Sequence, residues 1–102
     1  MSTTQIIFNP AADHGRSGQH ASDLRPTIET LGGADWHGTE YPGHAAEVAA
    51  RAAEAGYTTV IALGGDGTVH EVINGLMRIP AEQRPRLGIV PMPYWQQGPV
   101  IL

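Results

Sequence analysis

The chain is 102 residues long, carries a net charge of −4, contains no cysteine, and has arginine at each of its six basic positions. Without lysine it cannot form a Walker A loop, and without cysteine it can form neither disulfides nor thiolate metal sites. An acidic chain without a basic cluster argues against nucleic acid as a partner, because binding to a phosphate backbone needs clustered positive charge. The N-terminus has no signal-peptide pattern and no apolar run approaches the roughly 20 residues of a membrane span, so we expect one small domain, or a piece of a larger one, in the cytoplasm.

A short apolar strand, Thr4–Phe8, opens the chain. Asn9-Pro10 ends it, because proline donates no N–H and biases the preceding residue away from helix. The polar, glycine-containing segment 9–18 is long enough to wrap over a ligand at the carboxyl end of a parallel strand, where such folds bind ligands. A plain solvated connection is the alternative for this segment. Arg16 is its nearest positive charge for a phosphate.

A first helix is predicted from the i, i+4, i+7 spacing of Leu24, Ile28 and Leu31, ending at Gly32-Gly33. Proline is accepted in the first turn of a helix and breaks an interior turn. Pro26 therefore places the start of this helix near Ser22 or Asp23, with one of them as the cap.

The next pair of elements is a strand, Ala34–Thr39, and a stronger helix, Gly43–Ala55, opened by Pro42. Gly56 is the expected left-handed residue that closes this helix. The predicted contact face of the helix consists of small apolar residues, namely Ala45, Val48, Ala49 and Ala52. Small side chains would let the helix axis approach the sheet closely.

The centre of the chain reads as a strand, a glycine turn and a helix. The segment 57–63 is β-branched and apolar, which suits a strand buried on both faces of a parallel sheet. The segment 64–68, Gly-Gly-Asp-Gly-Thr, follows, and its three glycines allow positive φ angles and close approach of a ligand. Thr68 with Glu71 fits a capping box at the start of the helix. The apolar stripe of that helix is Val69, Val72, Ile73, Leu76 and Met77.

A glycine turn that opens a helix is a geometry that binds phosphate, because unpaired N–H groups and the positive end of the helix dipole gather there. Asp66 would repel a phosphate by about a kcal/mol or more unless Mg²⁺ bridges the two or a ligand hydroxyl donates to the carboxylate. His70 stands where the dinucleotide fingerprint needs glycine or alanine, which excludes a Rossmann dehydrogenase. A purely structural turn is the alternative, but three glycines carry an entropy cost that a plain connection does not require.

The predicted order is β-α-β-α-β-α-β, with the last strand at 87–90. This alternation indicates a Rossmann-like α/β fold: a parallel sheet with right-handed crossovers and helices on both faces, in three layers. The proline-rich segment 92–102 fits none of this pattern, and we expect an irregular tail there after a nucleotide-binding domain of residues 1–91.

The segment 64–76 closely resembles the signature of the diacylglycerol kinase catalytic domain, whose superfamily includes bacterial lipid kinases, sphingosine kinases and ceramide kinases. NAD kinases and phosphofructokinases share only the glycine core of the signature. Asn9-Pro10 after the first strand, Thr39 ahead of 43–45, and the segment 87–91 also resemble the family. The resemblance covers residues 4–91.

The resemblance implies an ATP-dependent kinase that transfers the γ-phosphoryl group to a lipid hydroxyl such as that of diacylglycerol. It implies that Asp66 lies near the phosphates and Mg²⁺, as the catalytic and metal-binding carboxylate, and it allows peripheral contact with a membrane. The oligomeric state is left open. The expected nucleotide-binding residues are Asn9, Pro10, Arg16, Thr39, Gly64, Gly65, Asp66, Gly67, Thr68 and Glu71.

Two positions depart from the family pattern. His70 stands where family members commonly have asparagine, and 91–95, Pro-Met-Pro-Tyr-Trp, stands where the family has a second motif, Gly-Thr-Gly-Asn. The resemblance also implies a following β-rich domain that supplies the lipid site and the expected general base, and we expect that domain to be missing from this chain. We therefore expect the nucleotide-binding half of a kinase, an incomplete fragment that binds nucleotide weakly and turns over poorly or not at all. An NAD kinase and a non-catalytic phosphate- or nucleotide-binding module are the alternatives.

Overall fold

The computed structural model describes residues 2–12, 14–91 and 100–101. The described elements, in chain order, are β1 Thr4–Phe8, α1 Arg16–Thr30, β2 Asp35–Gly38, α2 His44–Ala50, β3 Thr59–Gly64, α3 Asp66–Leu76, a short 3₁₀ turn Ala81–Gln83, β4 Arg86–Pro91 and β5 Val100–Ile101.

The strands form one sheet in the order β2-β1-β3-β4-β5. β1 pairs in parallel with β2 and β3, and β3 pairs in parallel with β4, which confirms the predicted parallel α/β sheet. β5 adds an antiparallel edge, with Ile89 opposite Val100. The predicted irregular tail thus contains two residues in a strand, and its residues 92–99 and 102 lie outside the described part of the chain.

Helices cover both faces of the sheet, as the alternation predicts. Ile6 and Leu63 point into a core that includes Ala21 of α1 and, packed against it, Leu24 and Ile28. The opposite core contains nine buried residues of the sheet, of α2 and α3 and of the segments that follow these helices: Ile7, Ala45, Ala49, Ala52, Val60, Ala62, Val72, Leu76 and Ile79. None of the helices in the described ranges is long and apolar enough to cross a membrane.

The prediction for α1 was wrong at its start. The helix begins at Arg16, and Pro26 lies inside it. Its N-cap is Gly15, with φ +85° and no side-chain hydrogen bond to the helix, so neither Ser22 nor Asp23 caps it. The connection after β1 is correspondingly shorter than the predicted loop 9–18.

The predicted contact face of α2, Ala45, Val48, Ala49 and Ala52, packs in the core, but the bounds of the helix differ from the prediction. The helix ends at Ala50, and turns continue the chain to Gly56, which has the predicted left-handed φ of +93°. Its small residues meet α3 closely: a Cβ built on Gly75 would lie 2.2 Å from the carbonyl oxygen of Ala46 and 2.8 Å from Cβ of Ala49. Gly75 is therefore required for the packing of α2 against α3.

The predicted stripe of α3 is only partly buried. Val72 and Leu76 are buried in the core and Val69 packs against it, but Ile73 is 37% exposed and Met77 is 63% exposed. The close contact at Gly75 rotates the packed face of α3 toward α2, which leaves these two apolar side chains at the surface.

The amino edge of the sheet is closed by hydrogen bonds between polar groups. The Tyr57 hydroxyl donates to Asp35 at 2.8 Å. The guanidinium of Arg84 donates to the carbonyl oxygens of Leu76 at 2.9 Å and Ile79 at 2.8 Å, which satisfies groups at the end of α3. These contacts stabilise the edge opposite the glycine turn.

Candidate active site at the carboxyl edge of the sheet

The ends of three parallel strands bring the predicted residues to one edge. Phe8 pairs with Gly38 and with Leu63, so the residues that follow β1, β2 and β3 are neighbours. The backbone N–H of Thr39 donates to the carbonyl oxygen of Phe8 at 2.8 Å. Thr39 is consequently held beside Asn9 and is only 8% exposed.

The glycine turn uses its glycines in different ways. Gly64 alone of the three has a positive φ, +151°, and a Cβ on it would lie 3.1 Å from Oγ1 of Thr68. Gly65 and Gly67 have ordinary φ angles, and a Cβ on either would meet nothing within 4 Å. The prediction of positive φ is therefore confirmed only at Gly64. At Gly65 and Gly67 the protein leaves space at the backbone that a ligand can approach.

α3 begins three residues earlier than the capping-box prediction, in which Thr68 is the N-cap. Asp66 is its first residue, Gly65 is its N-cap, and no side chain hydrogen-bonds to the cap position. Thr68 lies in the first turn instead of capping it, so that prediction was wrong. The first N–H groups of a helix have no intrahelical partners and carry the positive end of the dipole. They are available to an anion at the turn.

Glu71 has a different partner from the one predicted. Its Oε1 accepts a hydrogen bond from the backbone N–H of Gly43 at 3.1 Å, so the carboxylate joins α3 to the residue that precedes α2. Gly43 has a φ of +89° and is the N-cap of α2. Glu71 therefore fixes the position of the loop 39–43 over the start of α3.

A cleft of about 320 Å³ lies between these elements. It brings together four of the predicted site residues: Asn9, Thr39, Thr68 and Glu71. The remaining lining residues come mostly from the loop after β2, including Tyr41 and Pro42. The cleft thus opens beside the uncapped start of α3.

The other predicted residues flank the cleft without lining it. Pro10 packs under α1 and β2, where its atoms lie 3.2 Å from a Cβ built on Gly18 and 3.5 Å from one built on Gly38. Arg16 is exposed and is the first residue of α1. Asp66 is also exposed. The Asn9 side chain accepts a hydrogen bond from Ala11 at 3.0 Å, which shapes the loop after β1.

Comparison with known protein families identifies the family to which the chain belongs. The model of the diacylglycerol kinase catalytic domain matches residues 3–92. The chain belongs to the diacylglycerol kinase catalytic domain family. The match favours the lipid-kinase interpretation over an NAD kinase.

Known members of the family agree with this assignment. The chain is 36% identical over 93 residues to a diacylglycerol kinase of Bacillus subtilis, a match that covers 90% of this chain and 30% of the relative. It is 40% identical over 89 residues to a diacylglycerol kinase of Staphylococcus saprophyticus, covering 86% of this chain and 28% of the relative. The chain therefore spans about a third of the length of these relatives or less.

A solved structure supports the fold. The crystal structure of a diacylglycerol kinase from Bacillus anthracis aligns with a TM-score of 0.73 and 30% sequence identity. The alignment covers 86% of this chain and 32% of that chain. The α/β fold of this chain is thus shared with a solved member of the family.

Tyr41 is a lining residue that the sequence reasoning did not assign to the site. It is 50% exposed, stacks on His44 with ring centroids 4.3 Å apart, and donates its hydroxyl proton to Glu47 at 2.6 Å. The hydrogen bond to Glu47 raises the pKa of the Tyr41 phenol. Its position two residues after Thr39, in a loop at a strand's carboxyl end, is the signal that could have identified it.

The donor set at this edge fits Mg²⁺ bound together with a phosphate. Within residues 2–12 and 14–91, no group of three or more histidine, aspartate or glutamate side chains could hold a metal by itself. Mg²⁺ commonly keeps several waters and binds one or two carboxylates plus the phosphates of a nucleotide. Asp66, exposed at the start of α3, is a carboxylate of the required kind.

Proposed function

We propose that this chain is the nucleotide-binding part of an ATP-dependent kinase that phosphorylates a lipid hydroxyl such as that of diacylglycerol. The observation that carries the proposal is the open backbone at Gly65 and Gly67, at the uncapped N-terminus of α3 and beside the cleft. Membership of the diacylglycerol kinase family supports the choice of nucleotide and acceptor.

Each predicted residue has a role in this proposal. The first N–H groups of α3, approached over Gly65 and Gly67, bind the phosphates. Asn9 and Thr39 contact the nucleoside from the cleft, and Arg16 contributes positive charge near the phosphates. Pro10 supports the loop after β1, while Gly64, Thr68 and Glu71 hold the turn and the adjacent loop in place.

Asp66 is the proposed ligand of Mg²⁺. When bound, the metal would neutralise charge on the nucleotide phosphates and orient them for transfer. The carboxylate of Asp66 lies in the first residue of α3, at the position where a cation would be held. Phosphoryl transfer depends mainly on positioning and charge stabilisation, and these backbone and side-chain groups supply both.

The acceptor side of the reaction is also part of the proposal. The relatives are about three times longer than this chain. We place the lipid site and the general base in the sequence that corresponds to their remaining length, with a cytoplasmic enzyme making peripheral contact with the membrane that holds the lipid. The 102-residue chain should then bind nucleotide but show poor or no transfer from radiolabelled ATP to diacylglycerol in micelles. Normal turnover by the chain alone would contradict this arrangement.

The nucleotide site is tested by calorimetric titration of the chain with ATP, in the presence of Mg²⁺ and in the presence of a chelator. Asp66→Asn should lower the ATP affinity about tenfold with Mg²⁺, which corresponds to roughly 1.4 kcal/mol. With the chelator, the same variant should bind ATP as well as or better than the unmodified chain, because the repulsion between carboxylate and phosphate is removed.

Glu82→Gln is the matched control, since Glu82 is an exposed carboxylate in the 3₁₀ turn before β4, at the opposite edge of the sheet. It should leave both titrations unchanged. If Asp66→Asn had no effect with Mg²⁺, the role of Asp66 would be wrong. If the unmodified chain released no heat with ATP under either condition, the alternative of a module for another phosphate-bearing ligand would be preferred.

A further inference from the structure

The loop 39–43 shapes the nucleotide cleft. Its residues 39–42 all line the cleft. They connect β2, which ends at Gly38, to α2, which begins at His44. The conformation of the loop therefore depends on individual hydrogen bonds, and the groups that make these bonds determine the shape of the cleft.

Two side chains hold backbone N–H groups of this loop. Oε1 of Glu71 accepts from Gly43 at 3.1 Å, at the end of the loop. Nδ1 of His44 accepts from Glu40 at 3.0 Å, near the start of the loop. Glu40 follows Thr39, whose own N–H is bound to β1. The imidazole of His44 thus fixes the first half of the loop, as Glu71 fixes the second.

Aromatic contacts hold the imidazole of His44 in place. The ring of Tyr41 stacks on it with an interplanar angle of 5° and centroids 4.3 Å apart. His37 of β2 meets it edge-on, with centroids 5.4 Å apart. His44 is half-buried between these rings. The imidazole therefore joins the loop to the sheet, and through the stack it also positions Tyr41 in the wall of the cleft.

The hydrogen bond from Glu40 requires a neutral imidazole. Nδ1 accepts only while it carries no proton, because both ring nitrogens of the imidazolium are donors. Histidine is the side chain whose charge ordinarily changes between about pH 5 and 8. The stack on Tyr41 does not depend on the neutral form, since a cation is also attracted to the face of a tyrosine ring. The hydrogen bond to Glu40 is thus the contact that acidification breaks.

Charged groups of both signs lie around the ring of His44. They come from the loop, from β2, from α2 and the turn that follows it, and from α3: Glu40, Tyr41, His37, Glu47, Arg51 and Glu71. The hydroxyl of Tyr41 is bound to Glu47, which raises the pKa of that phenol and keeps it protonated at neutral pH. Because these groups stay the same in each variant of His44, comparison of the variants isolates the imidazole.

We propose that His44 is a positioning residue of the nucleotide cleft and makes that cleft sensitive to pH. The neutral imidazole holds Glu40, and with it the loop 39–43, in the conformation that binds nucleotide. Protonation of the ring releases the loop and weakens binding. This inference rests on the proposed function, because it assigns the regulation of the same site.

The test is calorimetric titration of the 102-residue chain with ATP and Mg²⁺ at a pH of about 8 and of about 5.5. His44→Asn supplies an amide oxygen that accepts at both pH values, whereas His44→Leu supplies no acceptor. At the higher pH, His44→Asn should bind ATP like the unmodified chain, and His44→Leu about threefold more weakly. At the lower pH, the unmodified chain should bind about threefold more weakly than His44→Asn. Comparison at one pH cancels the titration of the ATP phosphates.

An NMR titration with acid observes the loop directly. The amide proton of Glu40 should shift as His44 titrates in the unmodified chain, and this shift should be missing in His44→Asn. His20→Asn is the matched control, because His20 lies in α1 and lines neither the cleft nor the surroundings of His44. It should keep the pH dependence of the unmodified chain in both measurements.

Two results would overturn the role of His44 and leave the proposed function intact. One is that His44→Asn binds ATP as weakly as His44→Leu at the higher pH, because the packing of the ring would then matter in place of its acceptor. The other is a ratio of affinities between the unmodified chain and His44→Asn that is the same at both pH values. An absence of ATP binding by the unmodified chain would contradict the proposed function instead, and the Glu40 amide would still decide whether His44 holds the loop.

Discussion

The two edges of the parallel sheet use their polar groups in opposite ways. At the amino edge, Tyr57 and Asp35 are paired with each other, and Arg84 is bound to the last carbonyl groups of the α3 segment. At the carboxyl edge, Gly65 and Gly67 expose bare backbone at a helix start that no side chain caps. The polar groups at the amino edge are therefore hydrogen-bonded within the protein, whereas the backbone groups at the carboxyl edge are left open to a ligand.

This difference separates stability from binding. Substitutions at the amino edge should change the free energy of unfolding and leave the proposed nucleotide affinity unchanged. Substitutions at the exposed glycines of the carboxyl edge should lower the proposed nucleotide affinity without lowering the free energy of unfolding. Gly64 is the exception at its edge, because its φ angle and its contact with Thr68 are requirements of the fold.

The largest expected effect is that of Gly64→Ala. The φ of +151° is one that alanine rarely adopts, and the new Cβ would lie 3.1 Å from Oγ1 of Thr68. We expect a loss of roughly 2–3 kcal/mol in the free energy of unfolding, measured by urea denaturation.

Gly67→Ala is the control at the same turn. A Cβ at this helical position meets nothing, and alanine is the better helix former, so stability should stay the same or rise by up to about 1 kcal/mol. The ATP affinity of this variant should nevertheless fall, because the methyl group occupies the space proposed for the phosphates. Equal destabilisation by the two alanines would show that the glycines of the turn do not differ in their roles.

A smaller effect is expected for Arg84→Met at the amino edge. Methionine keeps the aliphatic length but removes the donors to Leu76 and Ile79, at a cost of about 1–2 kcal/mol in the free energy of unfolding. Arg78→Met, at an exposed position, should cost a few tenths at most. At a temperature where the variant is folded, Arg84→Met should bind ATP like the unmodified chain. A loss of ATP affinity in Arg84→Met would contradict the expectation that contacts at the amino edge affect stability and leave binding unchanged.

The sequence was sufficient to predict features that depend on local pattern. β1 was predicted with its observed bounds, and the order of elements, the parallel sheet and the position of the glycine turn all followed from apolar runs and glycines. Helix starts were less predictable, because α1 and α3 both begin after glycines without a side-chain cap. Rules based on capping side chains placed both starts too late.

Contacts between distant segments were not predictable from local pattern. Glu71 reaches Gly43, 28 positions away in the chain, and only the packing of α2 against α3 makes that contact possible. The same packing explains why Ile73 and Met77 are exposed although they follow the apolar spacing of the helix. Tyr41 became a candidate site residue only when the loop after β2 was placed beside α3.

The smallest expected effect concerns Tyr57 and appears as a dependence on pH. Burial, followed by the hydrogen bond to Asp35, raises the pKa of the Tyr57 phenol above its ordinary value of 10.0. The folded state therefore favours the protonated phenol. This contribution to stability is fully present below a pH of about 10 and is lost as the pH rises through the raised pKa. Tyr57→Phe should cost about 1 kcal/mol at neutral pH, through the lost hydrogen bond.

Above a pH of about 10, the free energy of unfolding of the unmodified chain should fall as the pH rises, and in Tyr57→Phe this fall should be smaller. Tyr41→Phe is the control from the carboxyl edge, because the Tyr41 phenol also has a raised pKa but its side chain is 50% exposed. Solvent screening should make the contribution of Tyr41 to the pH dependence of the unfolding free energy smaller than that of Tyr57. Urea denaturation at neutral and alkaline pH measures both slopes. If Tyr41→Phe flattened the curve more than Tyr57→Phe, the amino edge would not be the one that depends on its internal hydrogen bonds.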